Sequence, residues 1–209
     1  MSDRSKALQR REKLKGSLIG AAERMIDAHG LAGLRARALA LRVGCAVGAI
    51  YNVVTDLDDL VIAVNARTLQ ALERHLREAG AIGDASPAAD QVVARLTGMA
   101  LAYLDFAAGN ILRWRAVFEH RLAEGGELPA WYLEEQRRLF EHIEGPLRAL
   151  QPDASPEARL LVARSLFSAV HGVVQLGLEE KLQRIPLPIL REQVTLVVGA
   201  LGRGLATPV

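Results

Sequence analysis

Apolar residues recur at helical spacing along most of the chain. Leu14, Leu18, Ala21, Ala22 and Met25 fall at steps of three and four. They predict a first helix over residues 4–29 with one apolar stripe, ended by Gly30 as a C′ glycine would end it. The pattern then shortens. Leu39, Val43, Val47, Ile50 and Val54 are spaced for one buried face across two short helices, Leu34 to Arg42 and Ala46 to Val53, with a tight turn at Gly44 between them. A third helix starts near Asp56. Thr55 or Asp56 is expected to cap it, with Asp58 and Asp59 in its first turn. Leu57, Leu60, Val61, Val64, Leu72 and Leu76 carry it to about Ala79.

Two short helices joined by a small glycine-containing turn form a helix-turn-helix, and in DNA-binding versions the second helix enters the major groove. Spacing alone is weak ground for that function, since many helical proteins join short helices in this way.

The stretch Ala79 to Pro87 is the clearest break, and Ser86 with Pro87 reads as an N-cap and first helical position. Beyond it the pattern stays helical. Val92, Leu96, Met99, Ala100, Tyr103, Leu104 and Ala107 form one stripe, and a short helix follows over Asn110 to Leu122. Residues 124–129 read as a loop. Pro129 to Glu144 is the next helix, with Gly145-Pro146 expected to kink or end it. Ser155-Pro156-Glu157 starts another. Leu160 to Leu178 and Leu187 to Leu205 are apolar around a wide arc, which implies burial on more than one side. No segment alternates as a strand would, so the predicted class is all-α, with about nine helices.

Charge sharpens this picture. The whole chain carries a formal +2. Residues 1–52 hold ten Lys and Arg against four Asp and Glu, an excess of six, which leaves the remainder mildly acidic. A basic end suits a phosphate-bearing partner, although a solvated helix face would look the same. Half the residues are apolar, which points to extra burial in an oligomer. The longest uninterrupted apolar runs fall short of the ~20 residues that span a bilayer, and the first residues lack an apolar signal core. A soluble, cytoplasmic protein is expected. The single cysteine, Cys45, suits a reducing compartment and reads as a small packed residue in the turn.

Gly30-Leu31, Leu39-Ala40, Gly44, the run Val47-Gly48-Ala49-Ile50-Tyr51, and Leu60 together resemble the N-terminal domain of TetR-type one-component transcriptional regulators. The resemblance in the motif region spans residues 11–65. It implies a head over residues 1–55 that binds a palindromic operator in double-stranded DNA. It also implies a body over residues 56–209 that dimerises and binds a small-molecule effector, so that the protein acts as a repressor. Arg35 and Arg37 would contact phosphate. Ala46, Val47, Gly48, Ala49, Tyr51, Asn52 and Thr55 would face the groove, with Tyr51 on a phosphate and Asn52 placed to pair with adenine. Tyr51 could equally be a half-buried ring of the head's own surface. The sequence departs from the family pattern at five positions. Val54 replaces an aromatic residue, Leu57 a phosphate-binding Lys, Arg35 a capping Ser or Thr, and Ala46 and Ala49 the hydroxyl residues of the recognition helix.

In the body, Phe167-x-x-x-His171-Gly172 resembles the Trp-x-x-x-His-Gly signature of one subgroup, with Phe167 in the Trp position. Tyr103, Phe106, Trp114, Phe118, Trp131, Phe140 and His171 are the candidate effector-lining residues. Aromatics are scarce elsewhere, and an apolar pocket is the usual ligand site, although ordinary core packing would account for any one of these residues. Phe167, Val170, Val174, Leu178, Val194, Val198 and Leu201 are the candidate faces of an isologous four-helix dimer interface. The five histidines are scattered, with no i,i+4 pair or Cys partner, so neither a metal nor a cofactor is expected. No glycine-rich phosphate loop or nucleophile elbow is present, and no enzyme reading survives. The alternative from another class is a helical protein–protein dimerisation module whose DNA-binding head has weakened.

Overall fold

The computed structural model describes residues 3–80, 88–122, 126–179 and 183–206. Among them are nine α-helices and no strand: α1 (Asp3–His29), α2 (Ala36–Val43), α3 (Val47–Tyr51), α4 (Leu57–Gly80), α5 (Ala89–Gly109), α6 (Ile111–Glu119), α7 (Ala130–Leu150), α8 (Pro156–Gly177) and α9 (Leu187–Ala206). The all-α class follows as the spacing predicted. Ser86 and Pro87 lie outside the described residues, and α5 begins at Ala89.

Helix ends differ from expectation where local chemistry decides them. A single 3-10 turn, Leu31–Gly33, occupies the chain before α2, which therefore starts at Ala36 rather than Leu34. Helix α3 is five residues long, shorter than expected. Its N-cap, Ala46, has no side-chain acceptor, and the amides of Val53 and Val54 both turn back to the Ile50 carbonyl. Helix α7 runs through Pro146 to Leu150, where a kink or stop was expected. Proline removes one backbone donor, but Gly145 before it offers no Cβ to clash with the ring, and Pro146 and Leu147 are buried. The Ser155 hydroxyl accepts from the Ala158 amide at 3.2 Å, so α8 starts where the Ser-Pro-Glu run places it.

The chain forms two compact units, residues 1–70 with 110–133, and residues 71–109 with 134–209. The first unit is closed by Leu18, Ala21, Ala22, Met25 and Ile26 of α1, Leu39 and Ala40 of α2, Ile50 of α3, and Leu60 and Val64 of α4. Ala116 of α6 completes the same core. A cut at residue 55 would therefore divide it, because apolar residues of α4 and α6 fill it.

Gly44 makes the turn between α2 and α3. It is left-handed, at φ 77° and ψ 39°, and its amide bonds the Ala40 carbonyl. A Cβ there would meet nothing within 4 Å, so only backbone conformation demands glycine. Gly44→Ala should thus destabilise the first unit by about 1–2 kcal/mol, the penalty of a left-handed non-glycine residue, read as a lowered melting midpoint.

In the second unit α5 packs against α9 and α8. Val92, Leu96, Met99, Tyr103, Leu104 and Phe106 of α5 are buried with Val170 and Val174 of α8 and Leu190, Val194 and Val198 of α9. The helices approach closely at two glycines. A Cβ on Gly177 would lie 2.5 Å from Leu190, and one on Gly202 would lie 2.8 Å from Val93. By length and composition α5 and α8 could each cross a membrane, with mean hydropathy 1.3 and 1.4. The run count missed this because isolated charges interrupt both helices. The buried face of α5 marks it as a core helix.

Candidate nucleic-acid interface

The first unit holds α3 by one side chain and exposes most of the rest. Ile50 is fully buried, and Val53 and Val54 are buried just after the helix. Leu57, where the family pattern has a Lys, packs partly buried against the same core, as does Cys45 in the turn. Ala46, Val47, Gly48, Tyr51, Asn52 and Thr55 are exposed, with Tyr51 at 49 %, and Ala49 is half-buried. Val47 corrects the spacing argument, which placed it on the buried face. It opens a very short helix, beyond the edge of the core, and is 38 % exposed. Arg35 and Arg37 are exposed at the start of α2, Arg35 as its N-cap without a side-chain capping bond. Of the nine expected DNA-facing residues, all but Ala49 are thus exposed.

Asp56, not Thr55, caps α4. Its Oδ1 accepts from the Asp59 amide at 3.0 Å, and Asp59 Oδ2 accepts from the Thr55 amide at 2.7 Å. Asp58 is engaged by His120, whose Nε2 lies 2.9 Å from Asp58 Oδ1. Two further links tie the unit together. Glu23 of α1 receives Arg67 at 2.9 Å and Arg113 at 2.7 Å, and Arg113 also lies 3.2 Å from Asp27. Buried Asn65 donates to the Ala116 carbonyl at 3.2 Å. Sequence spacing gives no sign of these links, since they join residues from 44 to 90 positions apart.

The seven candidate effector residues divide between the units. Trp114, Phe118 and Trp131 belong to the first. Trp114 is buried with Phe118 edge-on at 5.5 Å, whereas Phe118 and Trp131 are exposed. Tyr103, Phe106, Phe140 and His171 belong to the second. There the Tyr103 hydroxyl lies 2.7 Å from His171 Nδ1. Burial holds the His171 imidazole below its ordinary pKa, against a hydrogen bond with Gln175 that pulls the other way.

Phe167 joins this group, although the sequence assigned it to a dimer seam. Its ring stacks on His171 at 5.4 Å and meets Tyr103 and Phe140 edge-on, each at 5.6 Å. Val170, Val174, Leu178, Val194 and Val198, also expected at the seam, are buried within the chain's own second unit. Only Leu201 of that set is exposed. The outward apolar residues of α8 and α9 are Leu161, Leu176, Leu187, Ile189, Leu196 and Leu201. Helices apolar on both sides do not reveal which side the chain itself covers. A cleft of about 460 Å³ in the second unit is lined by His75, Glu78, Gly98, Leu101, Asp105 and Arg191 among others, and by none of the seven.

The tetracyclin repressor-like C-terminal domain matches residues 96–201, half of the chain. The chain belongs to the TetR family. It is therefore a transcriptional regulator, and its kind is not an enzyme. Solved structures agree on the TetR fold. A protein of unknown function from Rhodococcus sp. RHA1 shares 23 % identity at a TM-score of 0.72, over 93 % of this chain and 96 % of that one. A TetR-family transcriptional regulator from Streptomyces coelicolor shares 19 % at 0.63, over 93 % and 88 %. RolR, solved in complex with the ligand resorcinol, shares 15 % at 0.63, over 97 % of each chain. No curated protein matches the chain.

Proposed function

We propose that the chain is a homodimeric, cytoplasmic repressor. The first unit reads a palindromic operator through α2 and α3, and the second binds a small-molecule effector that modulates operator binding. The observation that carries the DNA reading is the presentation of α3. Buried Ile50 fixes the helix, while Ala46, Val47, Gly48, Tyr51 and Asn52 are turned outward beside Arg35 and Arg37. A protein-interaction module would have no need of a low, small-residue helix flanked by cations that form no ion pair among the described residues. Groove entry does need one, because close approach brings backbone, methyl groups and a few polar tips to base edges and phosphates.

The effector reading rests on the cluster of Tyr103, Phe140, Phe167 and His171, an apolar wall with one polar pair. RolR, of the same fold, holds a small dihydroxy aromatic. The dimer reading rests on the outward Leu161, Leu176, Leu196 and Leu201 of α8 and α9. Paired heads would engage half-sites about one helical turn apart.

The test is fluorescence anisotropy with duplex from upstream of the chain's own gene, beside a scrambled duplex, from ~50 to ~200 mM salt. Preference for the upstream duplex with a steep salt dependence supports the regulator reading. Equal, salt-insensitive binding to both rejects it.

Gly48 offers a sharper check. A Cβ there would meet nothing within 4 Å of the protein itself. Gly48→Ala should raise helix stability by up to about 1 kcal/mol yet weaken operator binding about tenfold, near 1.4 kcal/mol. A variant that melts higher and binds as tightly as the parent would take α3 out of the interface.

A further inference from the structure

Helix α8 carries two adjacent rows of unlike chemistry. Ala163, Leu166, Val170, Val174 and Gly177 are buried. One position further on run Arg164, Phe167, His171 and Gln175, spaced i, i+3, i+7, i+11 along one face. Arg164 and Gln175 are exposed, and the two rings between them are partly buried. Phe167 meets Tyr103 of α5 and Phe140 of α7 edge-on, each at 5.6 Å, and stacks on His171 at 5.4 Å. The Tyr103–His171 hydrogen bond closes one end of this aromatic wall. At the other end the Arg164 guanidinium lies over the Phe140 ring, 5.8 Å from its centroid. Arg164 and His171 are about 10 Å apart along the helix axis. Among the described residues no ion pair engages Arg164.

We infer that the effector is an aromatic carboxylate, its ring held against Phe140 and Phe167 and its carboxylate on Arg164. This chemical class deepens the effector reading above and rests on it. A guanidinium held against a ring face is pre-oriented, and its planar fork matches a carboxylate through two parallel hydrogen bonds. The wall offers edge and face contacts to a further ring. Its one permanent charge is the cation at the mouth. A carboxylate there stays at the wet end of the wall, so no charge is carried into the apolar part. An ammonium ligand would meet the like charge of Arg164. A neutral ring would gain nothing from it.

The test is calorimetric titration of the full chain with benzoate, phenol and benzylamine, each up to about 5 mM. The three share a ring and differ in charge. Benzoate should bind about tenfold more tightly than either of the others, because a hydrogen bond to a charged group contributes more than a neutral one. Arg164→Gln should erase that preference. Arg164→Lys keeps the charge without the fork and should retain only part of it. Arg164 is exposed, so both variants should fold as the parent does, which circular dichroism checks. Phe167→Ala should weaken whichever probes bind.

Phenol or benzylamine binding as tightly as benzoate overturns the carboxylate class, as does a benzoate preference that survives Arg164→Gln. In either case a loss of binding in Phe167→Ala leaves the effector reading intact. Probe binding that neither Arg164→Gln nor Phe167→Ala alters puts the ligand outside the cluster and overturns both. Silence from all three probes also overturns both, since an aromatic wall that holds an effector should take a simple ring at these concentrations.

Discussion

Val174→Asp should leave little folded protein. Val174 lies in α8 with none of its surface exposed, among the buried residues that α5, α8 and α9 share. A carboxylate placed there must either shed its charge through a raised pKa or draw water into a packed core. Either way the penalty is several kcal/mol, on the scale of the 5–15 kcal/mol that holds a typical domain together. The measurements are soluble yield and a urea melt. Leu196→Asp is the contrasting variant, since Leu196 is 60 % exposed on α9. It should remain folded and shift light scattering from dimer to monomer. A folded, monomeric Val174→Asp protein would show that Val174 faces a second copy and not its own core.

Ile50→Ala should abolish operator binding while the protein stays soluble. Ile50 is the one fully buried residue of α3, and its carbonyl also receives the amides of Val53 and Val54. Large-to-small changes in packed cores cost about 2–5 kcal/mol. The loss falls on a five-residue helix with no side-chain cap, far below the length at which an isolated helix persists. We expect more than 100-fold weaker operator binding, about 2.7 kcal/mol or more. Amide exchange should accelerate across α2 and α3 and stay slow in α5, α8 and α9. Near-parental DNA affinity would mean that contacts outside α3 carry the binding.

Residues that act locally were legible in the sequence. Gly30 and Gly44 mark turns that need positive φ, Ser155 and Asp56 mark helix starts, and the α5 stripe is buried as its period predicts. Residues that act at a distance were not. Phe167, Val170 and Val174 sit on a helix apolar around most of its circumference, and periodicity cannot tell an inner face from an outer one. Val47 fits a buried spacing but opens a helix too short to carry the pattern to its end. Leu57 reads as a lost phosphate contact until the structure places it against the head core. The pairs Arg113–Glu23, Asn65–Ala116 and Tyr103–His171 close only when distant segments meet, and no local window contains both partners.

The first unit is discontinuous, because residues 110–133 return to it after α5 has left. This limits how such proteins can be recombined. A chimera that joins this head to another body at a single crossover after the helix-turn-helix would leave Ala116, Trp114 and Arg113 behind. Glu23 would lose a partner, Asn65 would lose the carbonyl it donates to, and a foreign α6 would have to fill the vacated core. Transplanting the operator specificity of this chain therefore calls for a graft of two segments, or for exchange of the α2–α3 surface residues alone.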